Sequence, residues 1–393
     1  MNAPANAAAS TGSDYPEIRD SVRRICEKFP GDYWRDLDER GAYPEAFVQA
    51  LTEAGFLSVL IPEEFGGSGL PLGAAAAILQ EINANGCSAN CAHAQMYIMG
   101  TLLRHGSEEQ RRAVLPGIAA GELRLQAFGI SEPTTGSDTT QLRTMAVREE
   151  DSYVIRGQKV WTSRALFSDY ILLLARTTPL DQVTKRTEGL SVFLIDMRAA
   201  IGKGMEIRPI KTMVNHNTTE IFFDDLRIPA ASLVGEEGKG FRYILDSMNA
   251  ERILIASECI GDGRWLLGKG VSYANERKVF GRPIGQNQGI QFPLARVHVS
   301  LEAAALMVER AMALFEAGQP CGAEANMAVL LASEATWNAA DTTFQTFGGF
   351  AFARDYDVER KWREARLYRT APVSTNLILS HVAQHALGLP RSY

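Results

Sequence analysis

The period of the apolar residues changes twice along this chain, and those two changes constrain its architecture more than any single motif. From Tyr15 to Glu122 the pattern is helical, with apolar residues at i, i+3, i+4 in segments around 15–29, 44–55, 72–84 and 107–120. From Leu123 to about Leu233 it becomes a series of short runs: RLQAFGI, TMAVRE, YVIRGQKVW, YILLLART, LSVFLID, MEIRPI and TEIFFDDLRI. These are rich in Val, Ile, Phe and Tyr and are separated by turn residues, so they read as strands. REEDSY makes a hairpin connection between two of them. No helix-length pattern interrupts them, so the strands should be mostly antiparallel. From Lys239 the helical period returns in long segments near 239–276, 286–317, 323–347 and 373–388, the lengths of an antiparallel bundle. The expected fold is α+β in three parts: an N-terminal helical domain (15–122), a middle antiparallel β domain (123–236) and a C-terminal four-helix bundle (237–393). The first fourteen residues, MNAPANAAASTGSD, read as a disordered tail (1–14).

Composition narrows the function classes. With 46% apolar and 22% charged residues over 393 positions, the chain can bury a large core. The net charge of −6 and the scattering of Lys and Arg argue against nucleic acid as a partner, while leaving small anionic ligands open. No apolar run approaches the roughly 20 residues needed to span a bilayer, and the N-terminus lacks the pattern of a signal peptide. A cytoplasmic location is expected. The 5 Cys form no disulfide framework. Cys26 and Cys259 read as core thiols and Cys321 as a turn residue. Cys87, Cys91 and His93 lie close together, but no second ligand pair completes a structural zinc site. His381 and His385 lack the intervening Glu of a metalloprotease helix. No metal is expected.

Four stretches could carry chemistry. SEPTTGSD (131–138) is too polar for a core strand and a poor helix. In the first long C-terminal helix, Ile244, Met248, Glu251, Ile255 and Cys259 share one face, which sets the Glu251 carboxylate in an apolar stripe without a cationic neighbour at i±3 or i±4. Such a carboxyl should have a raised pKa, as a general base needs; a buried ion pair with an Arg from another helix is the equal alternative. In SYANERKVFGRPIGQNQGIQF (272–292), Arg277 and Phe280 close a helix and Gln288 opens the next, and the same Arg could clamp a phosphate or merely face a helix C-terminus. QTFGGFAF (345–352) ends a long helix on two glycines, which suit close approach to a ligand or a simple C-cap.

Together these blocks resemble the acyl-CoA dehydrogenase family. AFGISEPTTGSD followed by YVIRGQKVWTS is similar to its flavin-binding middle domain, and ERKVFGRPIGQNQ, QTFGGFAFARDYDVERKWREAR and PEEFGGSGL are similar to its other characteristic blocks. The resemblance implies non-covalent FAD, an acyl-CoA thioester substrate, an electron-transfer flavoprotein as electron acceptor, and a homotetramer or homodimer. It implies that Ser131 and backbone groups near Phe128 and Ile130 hydrogen-bond the flavin ring, that Trp161 packs on it, and that Ser163 bonds near its reactive nitrogen. It places Gly136 and Ser137 along the pyrophosphate and pantetheine, and Arg252 along the CoA moiety. Arg277, Phe280 and Gln288, with Gln345, Gly348 and Gly349 of a neighbouring subunit, would hold the FAD pyrophosphate and adenosine, completed by Ser374 and Asn376.

The chain departs from the commonest pattern of that family. Where most members carry the catalytic Glu in a loop resembling YEGTSE, a gapless register from REARLY puts Pro372, which offers neither a carboxylate nor an N–H. A subset including isovaleryl-CoA and long-chain enzymes places the Glu on the long helix, and NAERILIA matches it with Glu251. Resemblance and apolar stripe thus choose the same base. Where glutaryl-specific relatives carry an Arg for the distal carboxylate, the register puts Ser88, on a helix around 86–100 that would line the far end of the pocket; dicarboxylic substrates are therefore disfavoured. The alternatives are a flavoenzyme of the same fold with other chemistry (oxidase, monooxygenase or desulfinase) and a non-catalytic CoA- or carrier-binding protein.

Overall fold

The computed structural model describes residues 15–391, and the expected tail lies outside them. The N-terminal part is helical: α1 (Pro16–Cys26), α2 (Gly31–Arg40), α3 (Glu45–Glu53), α4 (Leu72–Ala84), α5 (Asn90–His105) and α6 (Glu108–Ala119). α2 was not legible, because GDYWRDLDER buries only Trp34 and Leu37 and so shows almost no apolar stripe. The helix expected around 86–100 begins later, at Asn90. α6 starts on a capping box in which Ser107 and Gln110 satisfy each other's backbone amides.

The middle part comprises β1 (Ala127–Gly129), β2 (Met145–Glu149), β3 (Ser152–Ser163), β4 (Tyr170–Arg176), β5 (Leu190–Asp196), the short α7 (Met197–Ala200), β6 (Met205–Pro209), β7 (Thr218–Pro229) and β8 (Leu233–Val234). The sheet runs β6-β7-β3-β2-β4-β5-β8, with β1 added beside β4. All seven expected strands are present. Most pairs are antiparallel; β1 with β4 and the single β2–β4 bridge are parallel, because the β2–β3 hairpin is inserted between β1 and β4 in the chain. Inside the sheet Tyr153, Ile155, Phe193, Ile221 and Phe223 form a separate buried core.

The C-terminal part has α8 (Gly240–Glu276), a hairpin of β9 (Lys278–Val279) and β10 (Arg282–Pro283), α9 (Gln288–Glu316), α10 (Gly322–Phe347), α11 (Val358–Tyr368) and α12 (Thr375–His385). α11 is an addition to the expected four helices; its VERKWREARLY buries charged Arg360 and Lys361, which the apolar period cannot show. α8 packs on both α10 and α4, so the N- and C-terminal helices share one core that runs from Val22 through Phe47 and Ile78 to Ile260 and Val329. At Gly261 a Cβ would lie 2.2 Å from the Gln80 carbonyl oxygen, so only glycine lets α8 approach α4 this closely. A second core joins α5 and α6 to β4, β5 and the start of α8. The three parts therefore converge around α5 and the first half of α8.

Candidate active site

The SEPTTGSD stretch follows β1 and is held from beneath. Glu132 and Thr135 exchange backbone hydrogen bonds of 2.9 and 3.0 Å. The Glu132 carboxylate accepts from the amides of Arg143 (2.7 Å) and Thr144 (2.9 Å) and from Lys159 Nζ (2.9 Å). Burial alone would raise the Glu132 pKa, but Lys159 and the amides outweigh it and hold the carboxyl low. Lys159, fully buried, is pushed down to about 8 by desolvation despite that partner. With the loop clamped in this way, Ser131 is half-buried and Gly136 and Ser137 are exposed. The opening residue Ser131 accepts the Val160 amide through its carbonyl, which keeps β3 beside the loop.

β3 then breaks register between Lys159 and Thr162 opposite β7. This bulge puts Trp161 at φ 62° and turns its indole outward, 62% exposed, while Ser163 stays half-buried and paired with Thr218. Bulges re-aim side chains in this way beside functional sites. Arg164 follows, buried, also left-handed at φ 60°.

Glu251 lies on α8 at the joint of the two helical cores: Ile244 and Met248 pack into the core shared with the sheet, Ile255 and Cys259 into the all-helical one. It forms no ion pair among the described residues, which removes the alternative of a buried Arg partner. It keeps some exposed surface and is half-buried, but protein surrounds it closely enough that desolvation raises its pKa; His93 and Arg252 offset this only in part. Tyr97 of α5 lies close enough to feel its charge: burial and Glu251 both raise the Tyr97 phenol pKa. Tyr97 meets His93 edge-on at 5.1 Å and Phe128 of β1 at 6.2 Å between ring centroids. His93 is fixed by a hydrogen bond from Nδ1 to buried Glu258. Phe128 and Ile130 pack with Met248, one turn before Glu251, into the core shared by α5, the sheet and α8; Ser131 adjoins β3 through the Val160 amide, and Trp161 and Ser163 end that strand. Arg252 donates to Asn249 Oδ1 at 3.1 Å, and its Nε has no hydrogen-bond partner among the described residues.

The remaining candidates stand elsewhere. Arg277 ends α8, 26 residues beyond Glu251, or about 39 Å along the helix. Its guanidinium lies 5.8 Å over the Phe350 ring, so the 272–292 and 345–352 motifs adjoin within one chain. Phe280 at the β9–β10 turn is wholly exposed; Gln288 starts α9, and Gln345 lies in the last turn of α10. Ser374 caps α12 by accepting the Leu377 amide, and Asn376 is exposed. Cys87 and Cys91 diverge, one toward the carbonyls of Cys26 and Phe29, the other toward Asn90.

These surfaces suit a flat aromatic ring joined to a diphosphate. Trp161 and Phe280 offer exposed aromatic faces, and a Cβ built on Gly136, Gly348 or Gly349 would meet nothing within 4 Å. Lys159, Glu132, Tyr97, His93 with Glu258, Arg164 and His216 were not foreseen. Lys159 alone carried a signal, as a cation in the middle of an otherwise strand-like run.

A helical domain, a bulged β module and a long-helix bundle, with a desolvated carboxylate on the helix where their cores join, define an α-β-α class of protein. The sequence matches the acyl-CoA dehydrogenase N-terminal domain over residues 13–122, the middle domain over 127–226 and the C-terminal domain over 238–387. The chain belongs to the acyl-CoA dehydrogenase family, a family of flavoprotein oxidoreductases. It is 34% identical over 381 residues to "Acyl-CoA dehydrogenase fadE12" of Mycobacterium bovis, covering 96% of each chain. Among solved structures it is similar to a glutaryl-coenzyme A dehydrogenase in complex with glutaryl-CoA (28% identity, TM-score 0.89, 100% of this chain and 98% of that one). It is also similar to the FAD complex of PigA (25% identity, TM-score 0.88, 97% and 98%). No helix among the described residues is long and apolar enough to cross a membrane.

Proposed function

We propose that the chain is an FAD-dependent acyl-CoA dehydrogenase in which Glu251 removes the α-proton of an acyl-CoA thioester to give a 2-enoyl-CoA. The observation that carries this reading is the Glu251 carboxylate, without an ion pair among the described residues and with its pKa raised by burial, near Tyr97 where the helical and sheet cores meet. We take 15–122, 123–236 and 237–393 as its domains.

FAD, when bound, supplies the acceptor for the β-hydride. Ser131 and the backbone near Phe128 and Ile130 would hold the edge of its ring, Trp161 would cover a face, and Ser163 would bond near its reactive nitrogen. Arg277, Phe280, Gln288, Gln345, Gly348, Gly349, Ser374 and Asn376 would hold the diphosphate and adenosine. Since about 39 Å of helix separates Arg277 from Glu251 within one chain, Arg277 and the residues grouped with it, Phe280, Gln288, Gln345, Gly348 and Gly349, serve a neighbouring copy's cofactor, which calls for a homodimer or homotetramer; Ser374 and Asn376, next to Val373, stay with this chain's own site. Gly136, Ser137 and Arg252 would line the CoA moiety.

Glu251 is made a stronger base by desolvation, which matches it to a weakly acidic carbon. The charge that develops on the thioester oxygen needs donors. Pro372 has no N–H, so the first amide available after it is that of Val373. An electron-transfer flavoprotein would take the electrons onward. The test is anaerobic titration of the purified protein with a panel of acyl-CoAs. The reading requires a yellow protein whose flavin is bleached by at least one saturated thioester, with the enoyl product recovered. A flavin untouched by every thioester in the panel would overturn it.

A further inference from the structure

Arg164 is not used by the chemistry above. Only 7% exposed, it has Nε and Nη1 buried without a hydrogen-bond partner and forms no ion pair among the described residues. Its backbone is fixed, the N–H donating to the Asn217 carbonyl at 2.9 Å. A guanidinium keeps its charge at any ordinary pH, and leaving one buried and unpaired is costly.

The groups that feel its charge are Tyr43, Cys91 and Tyr97 from the N-terminal part and His216 before β7. All four are neutral near pH 7. Burial raises both phenols and pushes the Cys91 thiol up to about 11, and burial together with Arg164 pushes His216 down to about 3. The carboxylates nearby are committed elsewhere: Glu364 to Arg360 and Lys361, and Glu45 to Arg124. Glu251 acts on Tyr97 with the sign opposite to that of Arg164, so Tyr97 lies within the field of both charges. Among the described residues no anion is committed to Arg164 and its neighbours are neutral, so its counter-charge must come from outside the chain, beside the α5 residues Cys91 and Tyr97.

We propose that Arg164 anchors a carboxylate at the far end of the acyl chain, so that the preferred substrates are ω-carboxyacyl thioesters. This rests on the thioester reading above and reverses the expectation drawn from Ser88: the cation comes from the end of β3 rather than from the start of α5. Arg164 is a specificity-determining residue, since it meets the acyl terminus and not the reacting carbons.

The test compares equal-length pairs, pentanoyl- with glutaryl-CoA and hexanoyl- with adipyl-CoA, on the flavin-loaded enzyme and on Arg164→Met and Arg164→Lys. Binding is read by calorimetry and turnover by flavin bleaching. The wild type should favour the carboxylate member of a pair at least tenfold. Arg164→Met should erase that ratio, losing about 10²–10³-fold more on the carboxylate than on its neutral partner, and Arg164→Lys should keep part of it. A wild type that prefers the neutral member overturns the proposal. So does an Arg164→Met that weakens both members equally while shifting the flavin spectrum, which would make Arg164 a flavin contact. If no thioester bleaches the flavin, the dehydrogenase reading fails, yet the calorimetric ratio still decides the role of Arg164.

Discussion

Replacing Lys361 with Met should damage the protein far more than its distance from the chemistry suggests. Lys361 of α11 is fully buried; Nζ donates to Asp262 Oδ1 at 2.7 Å and to the Cys87 carbonyl at 2.6 Å, and lies 2.9 Å from Glu364 Oε2. Those carboxylates hold its pKa up against the desolvation that would lower it. Among the described residues Asp262, also wholly buried on α8, otherwise has only the Tyr368 hydroxyl, which donates to it at 2.6 Å. Met fills the space of the Lys stem but leaves a carboxylate in the core without its cation. Removing one partner of a buried pair costs about 3–5 kcal/mol. For a unit of 150–250 residues this lowers the melting temperature by about 6–20 °C. The assay is thermal unfolding of the flavin-loaded protein followed by helix signal and by flavin release together, because a multidomain chain need not unfold in one step. The double variant Asp262→Asn/Lys361→Met should recover part of the loss, since no buried charge is then left alone. A single variant within about 1 kcal/mol of wild type would refute the reasoning.

Three further outcomes are expected. Because the folded-state pKa of Glu251 lies above its unfolded value, the folded protein holds that proton more tightly and stability falls as pH rises through the interval between the two; Glu251→Gln should melt higher than wild type above that interval and match it below, about 1.4 kcal/mol for each tenfold change in acidity. Glu132 has the opposite sign, its folded pKa being depressed: its stabilisation is present above about pH 4.3 and lost as pH falls through the folded value, and Glu132→Gln, which strands Lys159, should cost about 3–5 kcal/mol and loosen FAD, measured by denaturation and by flavin titration. His216, with its folded pKa near 3, stays neutral while the unfolded chain protonates, so stability should fall from about pH 6.5 toward 3; His216→Gln should flatten that acid limb in melting temperature against pH.

The large-scale order of this fold was legible because periodicity reports which face is buried, and three regimes of it run for a hundred residues or more. The apolar stripe through Met248, Glu251 and Ile255 likewise gave the position of the carboxylate before any geometry was known. What stayed hidden were buried polar groups paired across the chain. Lys159 with Glu132, Lys361 with Asp262, and His93 with Glu258 are separated by 27, 99 and 165 residues, and no local pattern links them. α11 was lost for the same reason, since its inward face is charged. Trp161 was found by resemblance, but the bulge that turns it outward depends on pairing with β7. No local pattern marks Arg164, and only its burial without a partner among the described residues singles it out.

The central claim is that Glu251 is the base, and it is tested most directly by anaerobic stopped-flow reduction of the enzyme flavin with the best thioester of the panel, in wild type and Glu251→Gln. The Gln variant should carry a full complement of FAD and bind the same thioester. Its flavin should bleach about 10²–10⁴-fold more slowly, the usual contribution of a positioned base. A Gln variant that bleaches its flavin at close to the wild-type rate would contradict the account.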